Sequence, residues 1–134
     1  MSRSFHIRVP CTSANIGPGF DVVGLSLSLY LFLDVTIEAD APHMDPVLTY
    51  SGQGAADAPL NPYQNLITRV ALYVMRVNDI KSFPRGVRIH VRNDIPFGRG
   101  LGSSGAAVIA GLLLGNELGQ LHIETSALIA MGSM

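Results

Sequence analysis

The residues best able to do chemistry in this chain sit in two glycine-rich loops. The second loop reads Ile95-Pro96-Phe97-Gly98-Arg99-Gly100-Leu101-Gly102-Ser103-Ser104-Gly105-Ala106. Glycines let backbone N–H groups turn inward and let a bulky anion approach the chain closely. An apolar run follows Ser104, which predicts a helix starting there. The first N–H groups of a helix lack partners and carry about half a positive charge. Loop and helix start together form a phosphate cradle. Ser103 and Ser104 can cap the helix, bond to phosphate, or offer a hydroxyl oxygen to Mg2+. Arg99 adds a cation at the rim. The same composition also suits an ordinary loop with a serine cap. The Walker pattern is excluded, because it needs a lysine before the hydroxyl and Gly102 stands there.

The first loop runs Val9-Pro10-Cys11-Thr12-Ser13-Ala14-Asn15-Ile16-Gly17-Pro18-Gly19-Phe20-Asp21-Val22-Val23-Gly24-Leu25. Asn15 offers a donor and an acceptor, and Asp21 a carboxylate. Taken alone, the pair also suits Asx-type turns on a Gly-Pro-Gly bend. Cys11 reads as a small packed residue rather than a nucleophile. Asn65 opens a helical pattern and fits an N-cap. Arg92 falls on the polar side of an alternating strand. The four histidines show no metal-ligand spacing.

Regular elements must hold these loops. Residues 4–10 alternate, with Phe5, Ile7 and Val9 against His6 and Arg8, and predict a half-buried strand stopped by Pro10. Residues 22–38 alternate through Leu31, Leu33, Val35 and Ile37 and predict one long strand or two shorter ones. Residues 39–62 are polar and proline-broken, with room for one short strand at 47–50. Leu66, Ile67, Val70, Val74 and Val77 share one helical face over residues 65–77. Residues 86–92 alternate Val87, Ile89 and Val91 against Arg88, His90 and Arg92, another half-buried strand. Residues 103–118 are apolar nearly all round and predict a buried helix; a further helix begins at residues 124–131. Gly111, Gly115 and Gly119 recur every fourth residue. Each costs about 1 kcal/mol in a helix relative to alanine, so a close neighbour is expected in return. The order predicts an α+β fold, with helices on one face of a largely antiparallel sheet.

Composition narrows the classes. A chain of 134 residues fits one domain. One cysteine excludes an internal disulfide framework. No apolar run approaches the ~20 residues that a bilayer span requires, so no membrane partner is expected. Seven basic residues cluster between Arg69 and Arg99, but without the density and interleaved aromatics of a nucleic-acid surface. A cytoplasmic setting is the expectation. Only 14% of the residues are charged, against roughly 25% in ordinary domains. That predicts surface covered by another domain or by a second copy, as in a homodimer.

The second loop, Pro-x-Gly-x-Gly-Leu-Gly-Ser-Ser-Gly-Ala, resembles the phosphate loop of the GHMP kinases. The first loop is similar to the amino-terminal substrate loop of the homoserine kinases in that family, except that Cys11 stands where alanine is usual. The resemblance implies the ribosomal protein S5 domain 2-like fold of the GHMP amino-terminal domain, with a left-handed crossover. It implies transfer of the ATP γ-phosphoryl group to the hydroxyl of L-homoserine, a step of threonine biosynthesis. It places Pro96, Phe97, Gly98, Arg99, Gly100, Leu101, Gly102, Ser103, Ser104 and Gly105 on ATP, with Asn65 and Arg92 near the adenine. It makes Ser104 a ligand of Mg2+, and Asn15 and Asp21 ligands of a zwitterionic hydroxy amino acid. No residue is assigned as a catalytic base. Residues 1–134 would be the amino-terminal portion of a longer enzyme, inactive without its carboxy-terminal domain and a downstream acidic Mg2+ ligand. Another GHMP small-molecule kinase, such as a mevalonate-pathway kinase, and a non-catalytic nucleotide-binding module are the alternatives.

Overall fold

The structure, a computed structural model, describes residues 2–10, 29–52, 54–95, 103–124 and 127, with the backbone alone for Ser103 and Ser104. Four strands form one sheet: β1 (Ser2–Pro10), β2 (Tyr30–Glu38), β3 (Val47–Gly52) and β4 (Val87–Asn93). Two helices are α1 (Leu66–Val77) and α2 (Ser103–Leu118), and a 3-10 turn at Ala55–Asp57 follows β3. The sheet order is β1-β2-β4-β3.

β1 pairs antiparallel with β2, and β2 antiparallel with β4. β3 runs parallel to β4. The parallel pair makes the sheet mixed rather than wholly antiparallel. Its cause is α1, because parallel neighbours need a long crossover and the chain passes through that helix between β3 and β4.

Period-2 alternation sends Ile7, Val9, Leu31, Leu33, Val35, Val87, Ile89 and Val91 to one face, where all are buried. His6, Arg8, Asp34, Arg88 and Arg92 take the other. Each fully buried aliphatic side chain contributes about 1.5–3 kcal/mol, so the helices are held to the inner face and the outer face stays polar.

α2 packs on β1 and β2 on one side and on α1 on another. That explains its nearly uniform apolar sequence, since it has no wide solvent face. α1 is amphipathic, with Ile67, Ala71, Val74 and Met75 buried and Tyr73 and Val77 exposed. Two glycines of the repeat, Gly111 and Gly115, lie between the helices, whereas Gly119 follows α2 and sits against Ile80 and Leu121. A Cβ on Gly111 would lie 2.6 Å from the Ile67 carbonyl oxygen, and one on Gly115 2.6 Å from that of Ala71.

The first part of the expected strand at 22–38 lies outside the described residues, as does nearly all of the helix expected at 124–131 and Cys11. β3 is longer than expected, and the 3-10 turn lay hidden in a segment with no periodicity.

Gly111→Ala opposes two effects. Alanine raises helix propensity by about 1 kcal/mol, whereas overpacking against a backbone carbonyl costs about 1–3 kcal/mol. We expect packing to win, with a net loss of about 1 kcal/mol in urea denaturation. An unchanged or raised midpoint would show that the helices separate without cost.

Candidate functional site

A cavity of about 250 Å³ lies where the start of α1 and the second turn of α2 face strands β2, β4 and β3. Leu31, Val91, Ile67 and Ala107 give it apolar walls, and Tyr50, Asp57, Asn65 and Asn93 supply polar atoms. Pockets for drug-sized ligands span about 300–1,000 Å³. This one therefore suits part of a ligand, such as a flat ring system, better than a whole nucleotide.

Asn65 organises the cavity. It is the N-cap of α1: its Oδ1 accepts from the Ile67 N–H at 3.0 Å. Its Nδ2 donates to the Tyr50 hydroxyl at 2.5 Å and to the Pro59 carbonyl at 3.0 Å. One buried amide thus ties the helix start to β3 and to the loop before the helix. Thr68, one turn on, donates to the Pro62 carbonyl at 2.5 Å and pins the same loop. Buried polar groups persist only when bonded, and Asn65 and Thr68 satisfy one another's surroundings.

Two further groups shape the strand ends. Buried Asn93 closes a turn with its own neighbour: Nδ2 donates to the Ile95 carbonyl and Oδ1 accepts from the Ile95 N–H. That turn steers the chain out of β4 toward the second glycine loop. Gly52, with φ +86°, faces it, and a Cβ there would lie 2.3 Å from the Asn93 carbonyl oxygen. Burial pushes the Tyr50 phenol above its ordinary value, while the bond from Asn65 pulls it down. The hydroxyl therefore keeps its proton at physiological pH.

α2 begins at Ser103, as its sequence predicts, and Ala107 is in the cavity wall. At 1.5 Å per residue, the helix start lies about 6 Å along the axis from that wall. The unpaired N–H groups of the first turn thus stand roughly one turn from the cavity. Gly105 is half-buried in that turn. Asn15, Asp21, Pro96, Phe97, Gly98, Arg99, Gly100, Leu101 and Gly102 lie outside the described residues, as do the side chains of Ser103 and Ser104.

Residues 65–134, just over half of the chain, match the family described as GHMP kinases N terminal domain. The chain belongs to the GHMP kinase family. It is similar to the homoserine kinase of Saccharomyces cerevisiae, 56% identical over 96% of this chain and 38% of that protein. It is likewise similar to that of Candida albicans, at 53% identity over 94% of this chain and 36% of that one. The chain thus spans less than two fifths of the length of these relatives. A crystal structure of homoserine kinase from Cytophaga hutchinsonii superimposes with a TM-score of 0.69 at 21% identity, covering 96% of this chain and 39% of that one. At that identity the likeness shows the fold.

In this GHMP kinase domain one residue expected near the adenine lies away from the cavity. Arg92 does not join the cavity. It is on the outer face of β4, its guanidinium 3.9 Å from the centre of the Phe32 ring and 3.6 Å from Asp94. Val91 and Asn93, its neighbours in the strand, face the cavity instead. The alternation of residues 86–92 already pointed Arg92 outward. Asn65 does line the cavity, with its side chain occupied by the three bonds above. Tyr50, Asp57 and Asn93 were missed: no motif marks them, and the alternation that turns Leu48 and half-buried Tyr50 inward is too short to stand out.

Two substitutions separate these roles. Asn65→Ala removes a cap, leaving the buried Ile67 N–H and the half-buried Tyr50 contact without their partner, and should cost about 2–3 kcal/mol of stability; Asn65→Ser keeps the cap and should fall between. Arg92→Ala removes one exposed cation–ring contact and should cost about 0.5–1 kcal/mol, with nucleotide affinity unchanged. Denaturation midpoints and calorimetry check both, and a loss of nucleotide affinity in Arg92→Ala would place that residue on the nucleotide.

Proposed function

We propose that this chain is the amino-terminal, ATP-binding part of a homoserine kinase, which transfers the γ-phosphoryl group of ATP to the hydroxyl of L-homoserine. The observation that carries the reading is the apolar cavity one helical turn behind the start of α2. It supports a base in the cavity and phosphates at the helix start. The extent and identity of the match to the yeast relative favour homoserine over other acceptors.

The division of labour follows from residue chemistry. Residues 98–104 would hold the triphosphate through backbone N–H groups, with Arg99 adding charge at the rim. Asn15 and Asp21 would orient the amino acid, Asp21 as a ligand of its ammonium group rather than as a base. Mg2+ takes hard oxygen donors and commonly enters on nucleotide phosphates with one or two protein ligands. A serine in the first turn of α2 fits that chemistry, and Ser104 is the residue we assign. Among the described residues, no group of three or more His, Cys, Asp or Glu side chains could hold a metal alone. When bound, Mg2+ supplies neutralisation of phosphate charge. Phosphoryl transfer needs mainly positioning and charge stabilisation, and these residues offer both.

Threonine biosynthesis and a cytoplasmic setting follow from this activity. No described helix is long and apolar enough to cross a membrane. A following domain or a second copy of the chain would cover the low-charge surface.

The test is calorimetry of Mg·ATP on the full-length protein, followed by a substrate panel of homoserine and mevalonate-type alcohols. Gly102→Val should weaken ATP binding by at least tenfold by closing the cradle, and Ser104→Ala should lower turnover more than affinity. Phosphorylation of homoserine ahead of the other alcohols is expected; preference for another alcohol would move the protein elsewhere in its family. The 134-residue chain alone should turn over far below the roughly 1–100 per second of ordinary kinases. A rate in that range from the pure chain would overturn its assignment as a partial site.

A further inference from the structure

The hydrogen bonds around Asn65 leave one proton without a protein acceptor. Asn65 Oδ1 must face the Ile67 N–H, because a backbone N–H can only donate. Nδ2 therefore faces Tyr50 and Pro59, and the Pro59 carbonyl, which can only accept, requires the same orientation. Both Nδ2 protons are then used. In the 2.5 Å contact between Asn65 and Tyr50, the phenol oxygen is the acceptor. The phenol's own proton must go elsewhere, and among the described residues nothing accepts it.

Tyr50 lines the cavity beside the apolar side chains of Leu31, Val91 and Ile67, and the other polar side chains of the lining are Asp57, Asn65 and Asn93. The cavity thus presents an O–H donor next to apolar side chains, held in place by a buried amide that is itself fixed by a helix N-cap. We infer that the Tyr50 hydroxyl is a specificity-determining group that donates a hydrogen bond to a ring nitrogen of the bound adenine. This rests on the reading of the cavity as the base site of a nucleotide.

The chemistry selects among ligands. A fixed donor wants an acceptor opposite, and adenine carries unprotonated ring nitrogens at N1, N3 and N7. Guanine shares the N3 and N7 acceptors but carries an N–H at N1, so the donor separates the two bases only where it meets N1. A half-buried donor left unpaired is costly, so the wrong edge is rejected more strongly than the right one is favoured.

The experiment compares ATP with its 1-deaza, 3-deaza and 7-deaza analogues, each replacing one ring nitrogen by C–H. Affinities are measured by calorimetry on the full-length protein and on Tyr50→Phe. The wild type should bind one analogue about fivefold to tenfold more weakly than ATP. Tyr50→Phe should weaken ATP by a similar factor and lose the discrimination against that one analogue. If Tyr50→Phe weakens ATP and all three analogues alike, the residue acts only by supporting Asn65, and the assignment falls. It falls equally if Tyr50→Phe leaves ATP affinity unchanged. The wild-type series stands even if the variant does not fold: equal binding of ATP and every analogue means that no ring nitrogen meets a donor, and overturns the assignment. A wild type that binds ATP while failing either comparison loses only the Tyr50 role, whereas one that binds no ATP overturns the nucleotide reading and the Tyr50 role with it.

Discussion

The side chain of Asn65 is the constraint on which the cavity depends. A single buried amide caps α1, holds the Tyr50 hydroxyl on β3 and receives the Pro59 carbonyl from the intervening loop. Three segments distant in their roles, a strand, a proline-rich connection and a helix start, are thereby fixed to one another. The proline-rich loop cannot satisfy its own carbonyls through regular structure, because prolines lack N–H donors and interrupt ladders. Asn65 and Thr68 supply the missing donors from the first turn of the helix. The three bonds of Asn65 fix the Tyr50 hydroxyl, the Pro59 carbonyl and the Ile67 N–H relative to one another.

The second constraint is the close contact between the two helices. Gly111 and Gly115 let α2 come against the backbone of α1 at Ile67 and Ala71. Larger residues would push the helices apart and widen the cavity, whose wall includes both Ile67 and Ala107. The glycines lower helix propensity, and the packing of two apolar faces offsets that cost. Helix geometry then sets the distance between the start of α2 and the cavity. A spacing of one turn matches a ligand with an aromatic ring at one end and an anion near the other.

The sheet separates two kinds of chemistry. Its inner face is aliphatic and builds the core. Its outer face carries arginines stacked on aromatic rings, with Arg8 4.9 Å from the Tyr30 ring and Arg92 3.9 Å from that of Phe32. His6 bonds to Asp34 on the same face at 2.5 Å. Arg92 lies 3.6 Å from Asp94, and these groups are on the face opposite the one that lines the cavity. Arg92, close to the second glycine loop in sequence, is turned by its strand to the face opposite the cavity.

Much of this protein is legible in its residues alone. The alternation of Ile7 and Val9, of Leu31, Leu33 and Val35, and of Val87, Ile89 and Val91 determines three strands and their buried face, because a strand places neighbours on opposite sides. The uniformly apolar stretch from Ser103 to Leu118 determines a helix enclosed by other elements, and the glycine loop before it identifies the family. Local pattern also determines Asn65 as a cap. Tertiary structure alone decided the rest. The parallel pairing of β3 with β4 is a non-local choice that a six-residue strand does not announce. Tyr50 and Asn93 became cavity residues only when β3 lay beside β4 under the start of α1. Their roles depend on which atoms meet across the sheet, and hydrogen-bond partners far apart in sequence leave no spacing to read.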